Sequence, residues 1–247
     1  VKRRQSPRNP PSQAHTIPTA TPQGIWPAPG EWLNPREPFL IPLLLLIAAR
    51  VVFWAMMPLA AEDAYITFRF AKNLAIGNGL VYNLGERVMG FSSPLWTVWS
   101  AVGCRLFNAP VEWARFWAVA GDAVTVLLLA VLIRRHAGRA SAWCFAFFFA
   151  VWPFLAAVAV SGMETSVMLT LIVLAAVFSE RRSPLAGPAL AALALVRPEG
   201  VAAAAVIALG ARWRDRAVAA VLIAIGVAAL WIYFGSPLPQ SALAKAS

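Results

Sequence analysis

The chain has 247 residues, 60% of them hydrophobic and only 13% charged. Water-soluble domains run about 45–50% apolar and about 25% charged, so this composition excludes a soluble globular protein. The net charge of +10 does not mark a nucleic-acid binder. The basic residues sit in an N-terminal tail and in short loops between apolar runs, as the positive-inside rule expects of a multi-pass membrane protein. Cys104 and Cys144 lie in separate apolar segments without metal-ligand spacing and read as free, buried thiols. The histidines are His15 in the tail and His136 in a basic loop, which leaves no histidine-based metal site.

Residues 1–38 are rich in Pro, Gln, Ser and Arg and cannot bury enough surface to offset ordering, so a disordered basic tail on the cytoplasmic side is expected. No apolar core with a cleavage site follows its first basic residues, which excludes a signal peptide. The first span is expected over 39–59. Arg50 falls at its middle, where facing lipid would cost about 2.5–3.5 kcal/mol; it should face the protein interior, as a functional group or as half of a structural pair. An outer loop over 60–113 follows. Within it, Ser93-Pro94 opens a helix with serine as N-cap and proline at the first helical position. That helix, 94–107, is too short to cross and carries Arg105, so it reads as a juxtamembrane element. If it crossed, the basic run Arg134-Arg135-His136…Arg139 would lie outside.

The remaining spans are expected at 114–132, which contains Asp122, at 140–160, and at 166–178, with an outer turn at 161–165. A hairpin of short helices over 185–209 carries Arg197-Pro198-Glu199-Gly200 at its recessed outer tip, and 217–234 crosses last. The expected fold class is therefore an all-α polytopic integral membrane protein with juxtamembrane amphipathic helices in its first outer loop. This topology brings Glu62, Asp63, Glu86, Glu112, Glu164 and Glu199 to the outer face, as if around one polar cavity.

The stretch that follows the first span holds the densest chemistry. Asp63–Ile76 reads as an amphipathic helix with Ile66, Phe70 and Leu74 on one face and Arg69, Lys72 and Asn73 opposite. Asp63 is equally an N-cap or a catalytic carboxylate; Glu62 beside it, at the point where a span leaves the lipid, favours chemistry. A helix N-terminus stabilises a carboxylate in its ionised form, which suits a base or a metal ligand. Gly77-Asn78-Gly79 and Asn83-Leu84-Gly85-Glu86 are turns. Arg69, Lys72 and Arg87 can bind phosphate or snorkel to headgroups. Arg197 and Glu199 can neutralise each other or bind an anion. Nothing here has the spacing of a Gly-rich phosphate loop, a Ser-His-Asp set or HExxH.

EDAYITFRFAKNLAIGNGLVYNLGERVMGFSSPLW resembles the first outer loop of GT-C-type polyprenyl-phosphate-dependent glycosyltransferases, nearest to the bacterial terminal arabinofuranosyltransferases. SGMETSVM, LVRPEG and GSPLPQSALAK resemble later landmarks of that group. The resemblance implies a GT-C fold in the bacterial plasma membrane and transfer of a sugar from a polyprenyl-phosphate donor to a glycan or protein hydroxyl on the outer face. It implies Asp63 as the base and Glu164 as an acceptor or metal ligand. Two aspartates are usual where this chain has Glu62-Asp63. Arg69, Arg197 and Glu199 are then substrate-binding candidates, with Arg69 and Arg197 on the departing phosphate, and a divalent cation (Mg or Mn) is a candidate cofactor held by Glu62 and Glu164. Members of the group are longer, so the chain is expected to be a truncated copy or fragment. The rival reading is a transporter or flippase for a polyprenyl-linked sugar, or an inactive remnant.

Overall fold

The computed structural model describes residues 40–236; the expected basic tail and most of the GSPLPQSALAK stretch lie outside the described residues. Within them the chain forms nine helices and no strand: α1 Leu40–Met56, α2 Glu62–Ala75, α3 Pro94–Phe107, α4 Pro110–Val151, α5 Pro153–Val160, α6 Thr165–Glu180, α7 Ala186–Val196, α8 Pro198–Gly210 and α9 Trp213–Phe234. Two helices, α4 and α9, are long and apolar enough to cross a membrane, with a third span if α5 and α6 are taken as one bent unit. This all-helical, apolar build suits a bilayer environment.

Helix α4 is helical throughout except at Gly138 (φ 85°, ψ 173°), a conformation that glycine adopts without a Cβ penalty. The chain folds back there into two limbs, 110–137 and 139–151. The guanidinium of Arg50 binds Asp122 on the first limb and the Ala150 carbonyl on the second, positions that an unbroken helix would hold roughly 40 Å apart. Val126 and Ala130 of the first limb share a core with Ala142, Ala146 and Phe149 of the second and with Leu46 of α1.

The span expected at 140–160 is not one helix. It breaks at Trp152 (φ −68°, ψ 115°), immediately before Pro153. Proline has no N–H and disfavours helical geometry at the residue before it. The break strips the Phe149 and Ala150 carbonyls of their partners four residues on. Arg50 supplies replacements: Nη1 donates to the Ala150 oxygen at 2.6 Å and Nη2 to the Phe149 oxygen at 3.2 Å. Nε and Nη2 also reach the Asp122 carboxylate at 3.1 and 2.9 Å. Both side chains are buried, so Arg50 faces the interior as half of a structural pair. Asp122 further accepts from the Ser166 hydroxyl, which brings in α6.

Helices α5 and α6 meet at 101° across the 161–164 turn. The hairpin of short helices is present, α7 and α8 joined at Arg197, and Leu190, Leu193 and Ala194 of α7 pack on Ala204 of α8, Ala175 of α6 and Ala219 of α9. Helix α9 leaves Val221, Ile225 and Ile232 outward, the face a lipid-contacting helix presents. Cys144 is likewise exposed and Cys104 half-buried, so neither is the fully buried thiol expected; both are free.

Helices α2 and α3 pack on each other. The bounds of α3 are those expected, and α2 begins one residue earlier than expected. Its faces differ from the sequence reading. Ala64, Thr67, Phe68 and Ala71 form the buried stripe, Ile66 stays exposed and Asn73 is buried. The Asn73 amide donates to the Val81 and Tyr82 carbonyls at 2.8 and 3.0 Å, which satisfies backbone groups of the following loop and makes a polar residue a core one. Phe70, Phe91 and Phe234 stack edge to face beneath that loop, and the Tyr233 hydroxyl accepts from the Leu80 N–H at 2.9 Å, so the loop ties α2 to α9.

The Arg50 network predicts an asymmetry. Asp122→Ala leaves a buried, unpaired guanidinium and should destabilise the protein by about 3–5 kcal/mol, whereas Arg50→Met with Asp122→Leu should cost less. Reversible unfolding in detergent of wild type and the two variants measures both.

Candidate functional site

At the end of the bundle where α1 stops, four segments converge: the 57–61 connection into α2, the 161–164 turn, the start of α3 and the Arg197 tip. Arg115 organises them. Buried in α4, it donates from Nε to the Val160 carbonyl at 2.7 Å and from Nη2 to the Met57 and Leu59 carbonyls at 2.6 and 3.0 Å. It thus closes the carbonyl ends of α1 and α5, where a cation also complements the helix dipoles. Sequence reasoning passed over Arg115; a lone arginine in an apolar segment, the signal that singled out Arg50, was there to be read. The Ala61 N–H donates to the Ser161 carbonyl at 2.8 Å, and the Trp96 indole to Gly162 at 3.2 Å. The first turn of α2 therefore sits against the turn that carries Glu164.

Glu164 is 2% exposed. Its carboxylate takes Arg197 Nη1 at 3.1 Å and the Ser93 hydroxyl. Arg197 also binds Glu199 through Nε at 3.0 Å and Nη2 at 3.2 Å. The side chain of Glu199 is 62% exposed and that of Arg197 25%. Three of the six candidate residues thus form one cluster of two carboxylates around one guanidinium. Arg197 is paired with both acids, as the neutralising reading of this residue expects. Ser93 occupies the N-cap position of α3 but makes no side-chain cap; its hydroxyl is turned to Glu164 instead. Burial pushes the Glu164 carboxyl above its ordinary value, against the opposing pull of its own backbone N–H and of Arg197.

Glu62 and Asp63 both lie in the first turn of α2, whose N-cap is Ala61, with no side-chain cap. The N-cap reading of Asp63 is therefore corrected: the helix begins before it. Neither carboxylate has a hydrogen bond or ion pair among the described residues. The two differ in register. Asp63 is in line with buried Thr67 and Phe70, at the edge where α2 meets the body. Glu62 is in line with exposed Ile66 and Arg69. Arg69 itself is exposed and away from the cluster, donating from Nε to the Tyr82 carbonyl at 3.3 Å. Of the other outer acids, Glu86 pairs with the Asn83 amide at 3.1 Å.

Glu164 is held by Arg197 and Ser93, and among the described residues no group of three or more His, Cys, Asp or Glu is gathered for a metal.

An apolar cavity of about 430 Å³ opens beside the cluster, lined by residues of α2, α3, α7 and α9 including Leu74, Leu95, Leu195, Leu230 and Phe234. Pro94 on its wall follows Ser93 directly, and Leu195 is two residues before Arg197. Charge and apolar groove thus meet along one edge. No family model, curated protein or solved structure matches the chain.

Two predictions follow from the cluster's electrostatics. A carboxyl whose folded-state pKa is raised contributes most to stability below its ordinary value and loses that contribution as pH rises through the raised one. Glu164→Gln, neutral and of the same shape, should abolish this dependence, so the variant gains on wild type as pH rises from the ordinary carboxylate range. Arg197→Ala leaves Glu164 buried without its cation and should cost about 2–3 kcal/mol, less than the 3–5 kcal/mol of a fully buried pair. Thermal unfolding of the three proteins across pH separates these outcomes. Gly200 supplies a steric handle: a Cβ there would overlap the Leu193 carbonyl oxygen. Gly200→Ala should push α8 from α7 at a cost of roughly 1–3 kcal/mol, read by the same unfolding.

Proposed function

We propose that the chain is a membrane glycosyltransferase of the GT-C kind. In this reading it moves a sugar, arabinofuranose in the nearest case, from a polyprenyl-phosphate donor to a hydroxyl of a cell-envelope glycan or protein. The work is done at the outer face of a bacterial plasma membrane, with the N-terminus in the cytoplasm. One observation carries the proposal: an unpaired, exposed carboxylate, Asp63, lies in the first turn of α2, the Ala61 N–H just before that turn binds the Ser161 carbonyl of the turn that carries buried Glu164, and residues adjoining Ser93 and Arg197 in sequence line an apolar groove. A substrate with a polar, phosphate-bearing head and a long apolar tail matches that juxtaposition.

Asp63 accepts the proton of the acceptor hydroxyl, since no hydrogen bond or ion pair occupies its carboxylate. The acceptor oxygen forms a bond to the anomeric carbon as the bond from that carbon to the phosphate oxygen breaks, and polyprenyl phosphate leaves with the electron pair. One displacement inverts the anomeric centre. Glu62 helps to orient the acceptor from the exposed side of the same turn. Glu199 is the exchangeable partner of Arg197: a donor phosphate displaces this exposed carboxylate, while Glu164 holds the guanidinium in place and Arg69 supplies a second cation. The polyprenyl tail lies in the apolar groove.

The test is sugar transfer in membranes that contain the protein, supplied separately with polyprenyl-phosphate arabinose and mannose. Asp63→Asn should lower transfer by roughly 10²–10⁴-fold at equal protein level, and Glu62→Gln by less. Equal transfer by wild type and Asp63→Asn removes the base. No transfer from either donor, with flipping of labelled carrier lipid instead, turns the reading to a transporter.

A further inference from the structure

A second polar cleft lies at the opposite end of α2 from the acids. It is a cavity of about 320 Å³ between the C-terminal turns of α2 and α3, lined by Lys72, Ala75, Ile76, Cys104, Arg105 and Asn108. Its volume is at the lower end of the roughly 300–1,000 Å³ typical of small-ligand sites. Two cations line it and no acid does. The Lys72 ammonium, the Arg105 guanidinium and the Asn108 side-chain amide have no hydrogen-bond or ion-pair partner among the described residues. Nearby backbone groups do not use them either. The Lys72 carbonyl accepts from Ile76 N–H at 3.1 Å and the Cys104 carbonyl from Asn108 N–H at 3.0 Å. Burial raises the Cys104 thiol above its ordinary value despite Lys72 beside it, so the thiol adds no counter-charge.

Helix dipoles account for one cation at each C-terminus. Two such cations share this one cleft, and an anion bound between them would offset their mutual repulsion. The rim identifies its source. Ile76, Leu106 and Phe107 are 62%, 64% and 62% exposed around the cleft. Large apolar side chains beside free cations are the pattern of a segment lying at the membrane interface.

We propose that this cleft is an anion site for the phosphate of a membrane phospholipid: Lys72 and Arg105 bind its oxygens, Asn108 donates a further hydrogen bond, and the exposed apolar rim enters the acyl layer. Arg105 is the stronger anchor because its planar fork can take two phosphate oxygens at once.

The experiment uses the full chain in nanodiscs of phosphatidylcholine with a minor fraction of phosphatidylglycerol, extracted gently and examined by native mass spectrometry for retained lipid. Wild type should retain phosphatidylglycerol over phosphatidylcholine, and Lys72→Ala with Arg105→Ala should reduce that preference about tenfold, while Lys72→Arg should keep it. A thermal melt confirms that the double variant is folded; if it is not, Asn108→Ala and Arg105→Gln are the replacements, each expected to weaken retention. Equal retention by wild type and folded variants overturns the site, as does the absence of any preference in wild type. Inorganic phosphate at millimolar concentration distinguishes the source: a lipid site keeps its phosphatidylglycerol, whereas displacement by phosphate alone overturns the lipid assignment.

Discussion

The fold depends on how one guanidinium is satisfied in an apolar interior. Arg50 would be costly in lipid, and Pro153 leaves two carbonyls without helical partners. Each defect is the other's remedy. Arg50 meets Phe149, Ala150 and Asp122 together, so α1 and both limbs of α4 are fixed by four polar groups that an apolar medium would leave unsatisfied. Arg115 lies two turns from Asp122 on the same face of α4, and it takes the carbonyls of Met57 and Leu59 just as Asp122 takes Arg50. The α1–α4 seam is thus pinned at two levels by charges of opposite origin, one arginine from each helix.

That seam sets the position of the candidate site. Arg115 fixes where α1 ends and where α5 ends, and the connection from Leu59 to Ala61 then delivers α2 against Ser161. The first turn of α2 is left with two unpaired acids, while Glu164, on the turn that Ala61 binds, is buried and paired. Environment separates the carboxylates. Asp63 is exposed and unpaired, while burial pushes the Glu164 carboxyl above its ordinary value against the opposing pull of its own backbone N–H and of Arg197. Acids in such different surroundings are suited to different roles, one reactive and one structural.

Much of this was legible in the sequence, and the reasons for the rest are physical. Apolar run lengths located the helices, Ser93-Pro94 marked a helix start, Arg197-Pro198-Glu199-Gly200 marked the tip of the short hairpin, and Arg50 was placed inside on desolvation cost alone. Pro153 was passed over because the run around it is uniformly apolar, although its missing N–H decides the break. Two positions of α2 were misassigned because polarity was equated with exposure: Asn73 is buried to satisfy loop carbonyls and Ile66 is exposed, whereas Phe70 is buried and Arg69 and Lys72 are exposed as expected. Cys144 went wrong for the complementary reason, since an apolar residue of a membrane helix needs no protein around it. The Glu164–Arg197 contact could not be read at all. Periodicity gives the face of each helix, but which turn meets which is set by the bends at Gly138 and Trp152 and the 101° junction of α5 with α6.

Helix α2 carries its acids in the first turn and Lys72 in the last, the order that complements its own dipole. That order would stabilise any helix, so it is not in itself a sign of function. What distinguishes α2 is that neither end is neutralised by a neighbour. Its acids have no cation against them, and Lys72 shares a cleft with Arg105 rather than with an acid. Unpaired charge of opposite sign is therefore held at two points roughly 15 Å apart along a helix of 14 residues. The buried stripe of Ala64, Thr67, Phe68 and Ala71 prevents that helix from rolling. A headgroup bound at one end would then fix the height of Asp63 relative to the bilayer surface. In the proposed sugar transfer from a lipid carrier, the carboxylate that takes the acceptor proton would be held at that height.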